Sequence, residues 1–146
     1  MSVTPFNHPF LSELFGDADI SACFTAEADI AAMLSFEMAL AKAEAAHGVI
    51  GAEDASAIVS ALSGFQPDMQ ALKTATLRDG VVIPEMVKQM RKAVGGEAAN
   101  KVHFGATSHD AIDTSLVLRL KRVILIVDQR LEALISAFRQ LDASFG

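Results

Sequence analysis

The chain has 146 residues, a length that suggests one domain and allows a sizeable buried core. Hydrophobic residues make up 51% and charged residues 21%, so the composition is that of a globular chain and not of a disordered one. The formal net charge of −6 argues against nucleic acid as a partner through a broad phosphate-contacting patch, but not against a small anion held by local charge.

Tyrosine and tryptophan are absent while alanine, leucine, glutamate and lysine are frequent, a balance that favours helix over sheet. Cys23 is the single cysteine, so no internal disulfide can form. It reads best as a small buried apolar residue of a cytoplasmic protein. No Cys/His cluster has zinc-ligand spacing. Residues 1–10 lack the basic start and apolar stretch of a signal peptide. The most apolar run, Val123 to Val127, is bounded by Arg119, Lys121, Arg122 and Asp128 and is far too short to span a membrane.

In chain order, residues 1 to about 20 carry Pro5, Pro9 and Gly16 and predict an extended or short-helical lead-in. Thr25 is placed to cap a helix with Glu27 and Asp29 in its first turn. Ile30, Met33, Leu34, Met38, Ala41 and Ala45 follow at helical spacing, and Gly48 ends the run. A second helix is predicted over about 52–62, broken by Gly64 and Pro67. A short helical turn over 68–73 leads into a loop over 74–83, with its turn at Asp79-Gly80. Pro84 suits the first position of a third helix that runs to Val94 and stops at Gly95-Gly96. Residues 97–107 then read as a loop.

From Ser108 to about Ala143 there is neither proline nor glycine, and Ile112, Leu116, Leu120, Val123, Val127, Leu131, Leu134, Phe138 and Leu141 step by three or four. A helix of that length runs roughly 50 Å, and its wide apolar stripe calls for other long helices as partners. The expected fold is all-α: a helical N-terminal domain over 1–107, then over 108–146 the first long helix of a bundle. The stripe would be covered by further chain, by other copies, or by both.

Chemistry concentrates where the loop meets that helix, in His103-Phe-Gly-Ala-Thr-Ser-His-Asp-Ala-Ile-Asp-Thr114. Thr107 can cap the helix, with Asp110 three residues on, close to a capping box. The first N–H groups of a helix have no intrahelical partner and, with the helix dipole, favour an anion. The Thr107 and Ser108 hydroxyls can add donors, Gly105 allows close approach to the backbone, and His103 and His109 can donate to an anion or carry charge near it. Thr-Ser before a helix is ordinarily only a cap, and acids in a first turn are favoured for the dipole alone, so local physics by itself points only weakly to a carboxylate or phosphate site.

That segment resembles the first signature region of the fumarase/aspartase superfamily, where a Gly-x-Thr-Ser-x-Asp stretch opens the first long helix of the central bundle. Within it, the chain looks most like the carboxymuconate cycloisomerases. Leu14-Phe15-Gly-Asp-Ala, Glu37-Met-Ala-Leu-Ala-Lys-Ala-Glu44 and Val82-Ile-Pro-Glu-Met-Val-Lys88 are also similar to that family, and the likeness covers essentially the whole chain. The resemblance implies an enzyme that lactonises 3-carboxy-cis,cis-muconate without metal or organic cofactor, as a homotetramer acting on a small di- or tricarboxylate. It places His103, Gly105, Thr107, Ser108 and His109 at the substrate and gives Asp110, Asp113 and Thr114 a loop-bracing role. His109 stands where the family pattern usually has glutamine. The family's second motif, resembling Gly-Arg-Thr-His, and its third, Ser-Ser-x-x-Met-Pro-x-Lys-x-Asn, are absent here. The catalytic residues are therefore expected beyond Gly146, and this chain alone is expected to be inactive. Two alternatives stand beside it: an adenylosuccinate lyase-like or other carboxylate lyase, and a non-enzymatic helical oligomerisation module. Leu77-Arg78-Asp79-Gly80 stands where a His-rich loop would favour the purine enzyme.

Overall fold

Capping signals set most helix ends in the computed structural model, which describes residues 4–145 and leaves the first three residues of the predicted lead-in outside the described residues. Among the described residues there are seven α-helices, two 3-10 turns and no strand, so the fold is all-α. The lead-in holds a 3-10 turn at Pro5–Asn7 and the short helices α1 (Ser12–Phe15) and α2 (Ala18–Ala22). Helix α3 (Ala26–Ala46) begins where predicted, with the Ala28 N–H donating to Thr25 Oγ1 at 3.1 Å. It ends at Gly48, whose φ of 72° lets the N–H groups of Gly48 and Val49 reach back to the Ala45 and Glu44 carbonyls in a Schellman motif.

Helix α4 (Ala52–Leu62) follows the prediction, and α5 (Met69–Asp79) does not. The predicted loop over 74–83 is helical as far as Asp79. Asp68 caps α5 by accepting from the Gln70 and Ala71 N–H groups, Leu72 and Ala75 are buried, and Asp79-Gly80 is the helix stop and not a free turn. Gly80, at φ 77°, returns its N–H to the Thr76 carbonyl. Helix α6 (Ile83–Val94) carries Pro84 in its first turn, where no backbone donor is lost to the ladder, and ends at Gly95. The predicted loop after it holds a 3-10 turn, Glu97–Lys101. Helix α7 then runs from Ser108 to Phe145, 38 residues.

The chain divides into two compact units. One, Ile30–Leu116, holds the hydrophobic core: α4 packs on α6 and on the 97–101 turn, α5 packs on α6, and Met33, Ile58, Leu62, Met86, Met90 and Val102 fill the centre. Ala111, in the first turn of α7, belongs to the same core. The other unit comprises the residues up to Asp29 and those from Val117 onward. There Arg130 bonds Asp17 and Asp19, Arg119 pairs with Asp29 at 3.0 Å and lies over the Phe24 ring, and Cys23 is buried as predicted. The α7 residues of this unit leave Leu120, Ile124, Val127, Leu131, Leu134, Phe138 and Leu141 largely exposed. Among the described residues no helix is long and apolar enough to cross a membrane.

Candidate functional site

The segment between α6 and α7 is shaped by its backbone. Val102 is fully buried, and its carbonyl accepts from Arg91 Nη2 at 3.1 Å, which ties the loop to α6. His103 follows with a φ of 59°, the only non-glycine residue at positive φ among those described. Phe104 is exposed, with Lys101 Nζ 5.6 Å from its ring centroid. Gly105 has a φ of 68°, and open space lies where a Cβ would project, so the requirement for glycine is conformational and its backbone remains approachable.

Thr107 precedes α7 and bonds Asp110: the Thr107 N–H donates to Asp110 Oδ2 at 2.7 Å, and its hydroxyl donates to the same oxygen at 3.0 Å. These two bonds, backbone first, hold the Asp110 carboxyl below its ordinary value. The Thr107 hydroxyl is thus already engaged, whereas the Ser108 hydroxyl makes no bond among the described residues. His109 and Asp113 are exposed one turn apart on the helix, 3.7 Å between Nδ1 and Oδ1, and Thr114 is half-buried.

His103 turns the other way. Its Nδ1 lies 2.6 Å from Oε1 of Glu37 on α3, a carboxylate only 2% exposed. Seven residues further along that helix, Glu44 Oε2 is the one buried side-chain oxygen or nitrogen without a partner among the described residues. Burial pushes the Glu44 carboxyl up, the Glu37 charge adds to this, and the His103 ring opposes it. Reading the sequence for function singled out neither glutamate. The signal was present: both fall on the stripe of Ile30, Met33, Leu34 and Ala41, where a helix buries apolar side chains.

A test follows for Glu44. Its folded value is raised, so its stabilising contribution is complete below the ordinary 4.5 and is lost as pH rises through the folded value. Glu44→Gln, which keeps the shape and removes the charge, is expected to raise the melting temperature at neutral pH. The gain should vanish in acid, where wild type is itself neutral. Equal melting temperatures at neutral pH would contradict the cost assigned to this carboxyl.

The all-α fold, the loop-to-helix corner and the Gly-Ala-Thr-Ser-His-Asp run at its turn meet in one family. The chain matches the lyase family over residues 12–145 and belongs to it, within the fumarase/aspartase superfamily. In that family its likeness is to the carboxymuconate cycloisomerases. It is 38% identical over 136 residues to the 3-carboxy-cis,cis-muconate cycloisomerase of Bradyrhizobium diazoefficiens, covering 91% of this chain and 30% of that protein. Adenylosuccinate lyase of Methanothermobacter thermautotrophicus is 34% identical over 117 residues, covering 80% and 26%. Among solved structures, fumarate lyase from Mesorhizobium sp. BNC1 aligns with a TM-score of 0.83 at 31% identity, over 88% of this chain and 30% of that one. The beta-carboxy-cis,cis-muconate cycloisomerase from Acinetobacter calcoaceticus sp. ADP1 aligns with a TM-score of 0.75 at 34% identity, over 83% and 29%. The chain therefore spans about 30% of the length of the relatives it matches.

Proposed function

We propose that this chain is the N-terminal part of a 3-carboxy-cis,cis-muconate cycloisomerase, which closes its substrate to γ-carboxymuconolactone in the breakdown of protocatechuate in the cytoplasm. The observation that carries this reading is the 38% identity to a cycloisomerase across 91% of the chain. Residues 1–107 form the helical N-terminal domain of that enzyme, and 108–146 the first long helix of its central bundle.

In the reaction one substrate carboxylate oxygen adds across a double bond and a proton is delivered to carbon. Charge gathers on a neighbouring carboxylate, so donors aimed at that carboxylate lower the barrier. In this chain the donors are the Ser108 hydroxyl and the first N–H groups of α7, with His103, Gly105, Thr107 and His109 around them. Asp110, Asp113 and Thr114 brace the corner, and the bonds from Thr107 to Asp110 support that role for Asp110. No cofactor or metal takes part. The acid/base groups lie in other parts of the enzyme, so the chain alone does not turn over substrate. The working unit is a homotetramer. A second reading, an adenylosuccinate lyase-like enzyme, is supported by the 34% identity to the Methanothermobacter protein.

Assay of the complete enzyme with 3-carboxy-cis,cis-muconate and with adenylosuccinate separates the two, and turnover of adenylosuccinate alone would overturn the first. In that enzyme Ser108→Ala is expected to lower kcat/KM about 5- to 150-fold, the loss of one hydrogen bond to a charged group, about 1–3 kcal/mol. An unchanged kcat/KM would remove Ser108 from the site.

A further inference from the structure

His103 is set into its loop at a conformational cost. A φ of 59° is the left-handed region, which L side chains adopt rarely and glycine freely, as Gly105 does two residues later. Such an outlier persists when the surroundings over-determine it. Here the surroundings are on α3. The turn places the imidazole, 10% exposed, against the sealed Glu37 carboxylate, with Nδ1 and Oε1 2.6 Å apart. A carboxylate oxygen only accepts, so a contact that short needs a proton between the two atoms. The ring nitrogen is the partner able to carry an N–H donor, so that proton belongs to Nδ1. With Nδ1 as the donor to Glu37, Nε2 is the ring nitrogen left for a further partner. Nε2 is bonded to no described residue, nor is it one of the sealed unpartnered atoms, of which Glu44 Oε2 is the single example, so it lies on the accessible part of the side chain.

We propose that Glu37 is a positioning residue: it holds His103 in the tautomer protonated on Nδ1 and so makes Nε2 the ring atom offered to an anionic ligand at the start of α7. The ligand half of this statement rests on the carboxylate-corner reading above, while the tautomer half stands on the Glu37–His103 geometry. Glu44 supports the division of labour. Its carboxyl is pushed towards the neutral form by burial and by Glu37, while the His103 ring is bonded to Glu37 and not to Glu44.

The test is a two-bond 1H–15N correlation spectrum of the labelled chain, recorded above the ordinary imidazole range. Four histidines contribute, and His103→Gln assigns the signal of interest. Wild type is expected to show His103 protonated on Nδ1, against the preference of free imidazole for Nε2. Glu37→Gln retains an acceptor oxygen and should retain that tautomer, whereas Glu37→Leu removes the acceptor and should release it. An Nε2-protonated ring in wild type, or an Nδ1-protonated ring that survives Glu37→Leu, overturns the proposal. Should Glu37→Leu not fold, the wild-type spectrum decides in the same way. Titration with tricarballylate as the anionic probe should then move the His103 Nε2 resonance more than Nδ1. The expected tautomer with no response to tricarballylate would overturn the carboxylate corner while supporting the hold of Glu37 on the ring.

Discussion

Ile58→Ala is expected to destabilise the chain by about 2–5 kcal/mol, lowering the melting temperature by roughly 5–15 °C. Ile58 is 1% exposed on α4, the helix that packs on both α6 and the 97–101 turn. Truncation there removes transfer free energy and leaves a cavity among side chains that cannot all close in. The consequence reaches the candidate site because the 97–101 turn leads directly into Val102, whose burial fixes the start of the His103 loop. Urea or thermal unfolding followed by circular dichroism measures the loss. A change below about 1 kcal/mol would mean that this core relaxes around the deletion and is less tightly packed than its burial indicates.

Replacing Leu120 and Val127 together with aspartate is expected to abolish self-association while leaving the helix content intact. Both residues lie on the α7 stripe and are about two-fifths exposed. A stripe of this kind gains stability only when a partner covers it, and an aspartate taken into such an interface without a partner of its own costs at least about 2 kcal/mol. Two of them, about 4 kcal/mol together, weaken association about a thousandfold. Sedimentation of the wild type and the double variant at matched concentrations gives the answer. If the variant forms the same oligomer as wild type, the α7 stripe is not the surface that joins copies of this chain.

Much of the helical architecture was legible because the signals that end helices are local. Thr25 and Gly48 bracket α3 as their chemistry requires, since a threonine hydroxyl satisfies an orphan N–H and only a residue tolerant of positive φ closes a Schellman motif cheaply. Asp79-Gly80 misled for a related reason: the same dipeptide serves a free turn and a helix stop. What decided between them was Asp68 capping α5 and the burial of Leu72 and Ala75, and burial depends on the fold. The candidate site divides along the same line. The loop-to-helix corner at His103–Asp110 was visible as a motif, and the Asp110 contact to Thr107 spans only three residues. The Glu37–His103 pair joins residues 66 apart in the chain, and no local pattern pairs them.

Local signals alone made legible that the chain is helical, where most helices begin and end, and which short segment stands out as a candidate site, because hydrogen-bond caps, helical periodicity and glycine conformation act over a few residues. Packing in three dimensions settles that His103 turns inward to meet Glu37 and that Glu44 Oε2 is sealed without a partner. Those outcomes depend on which groups packing brings within 3 Å of each other and which it shields from water, and neither property belongs to any residue until the chain has folded.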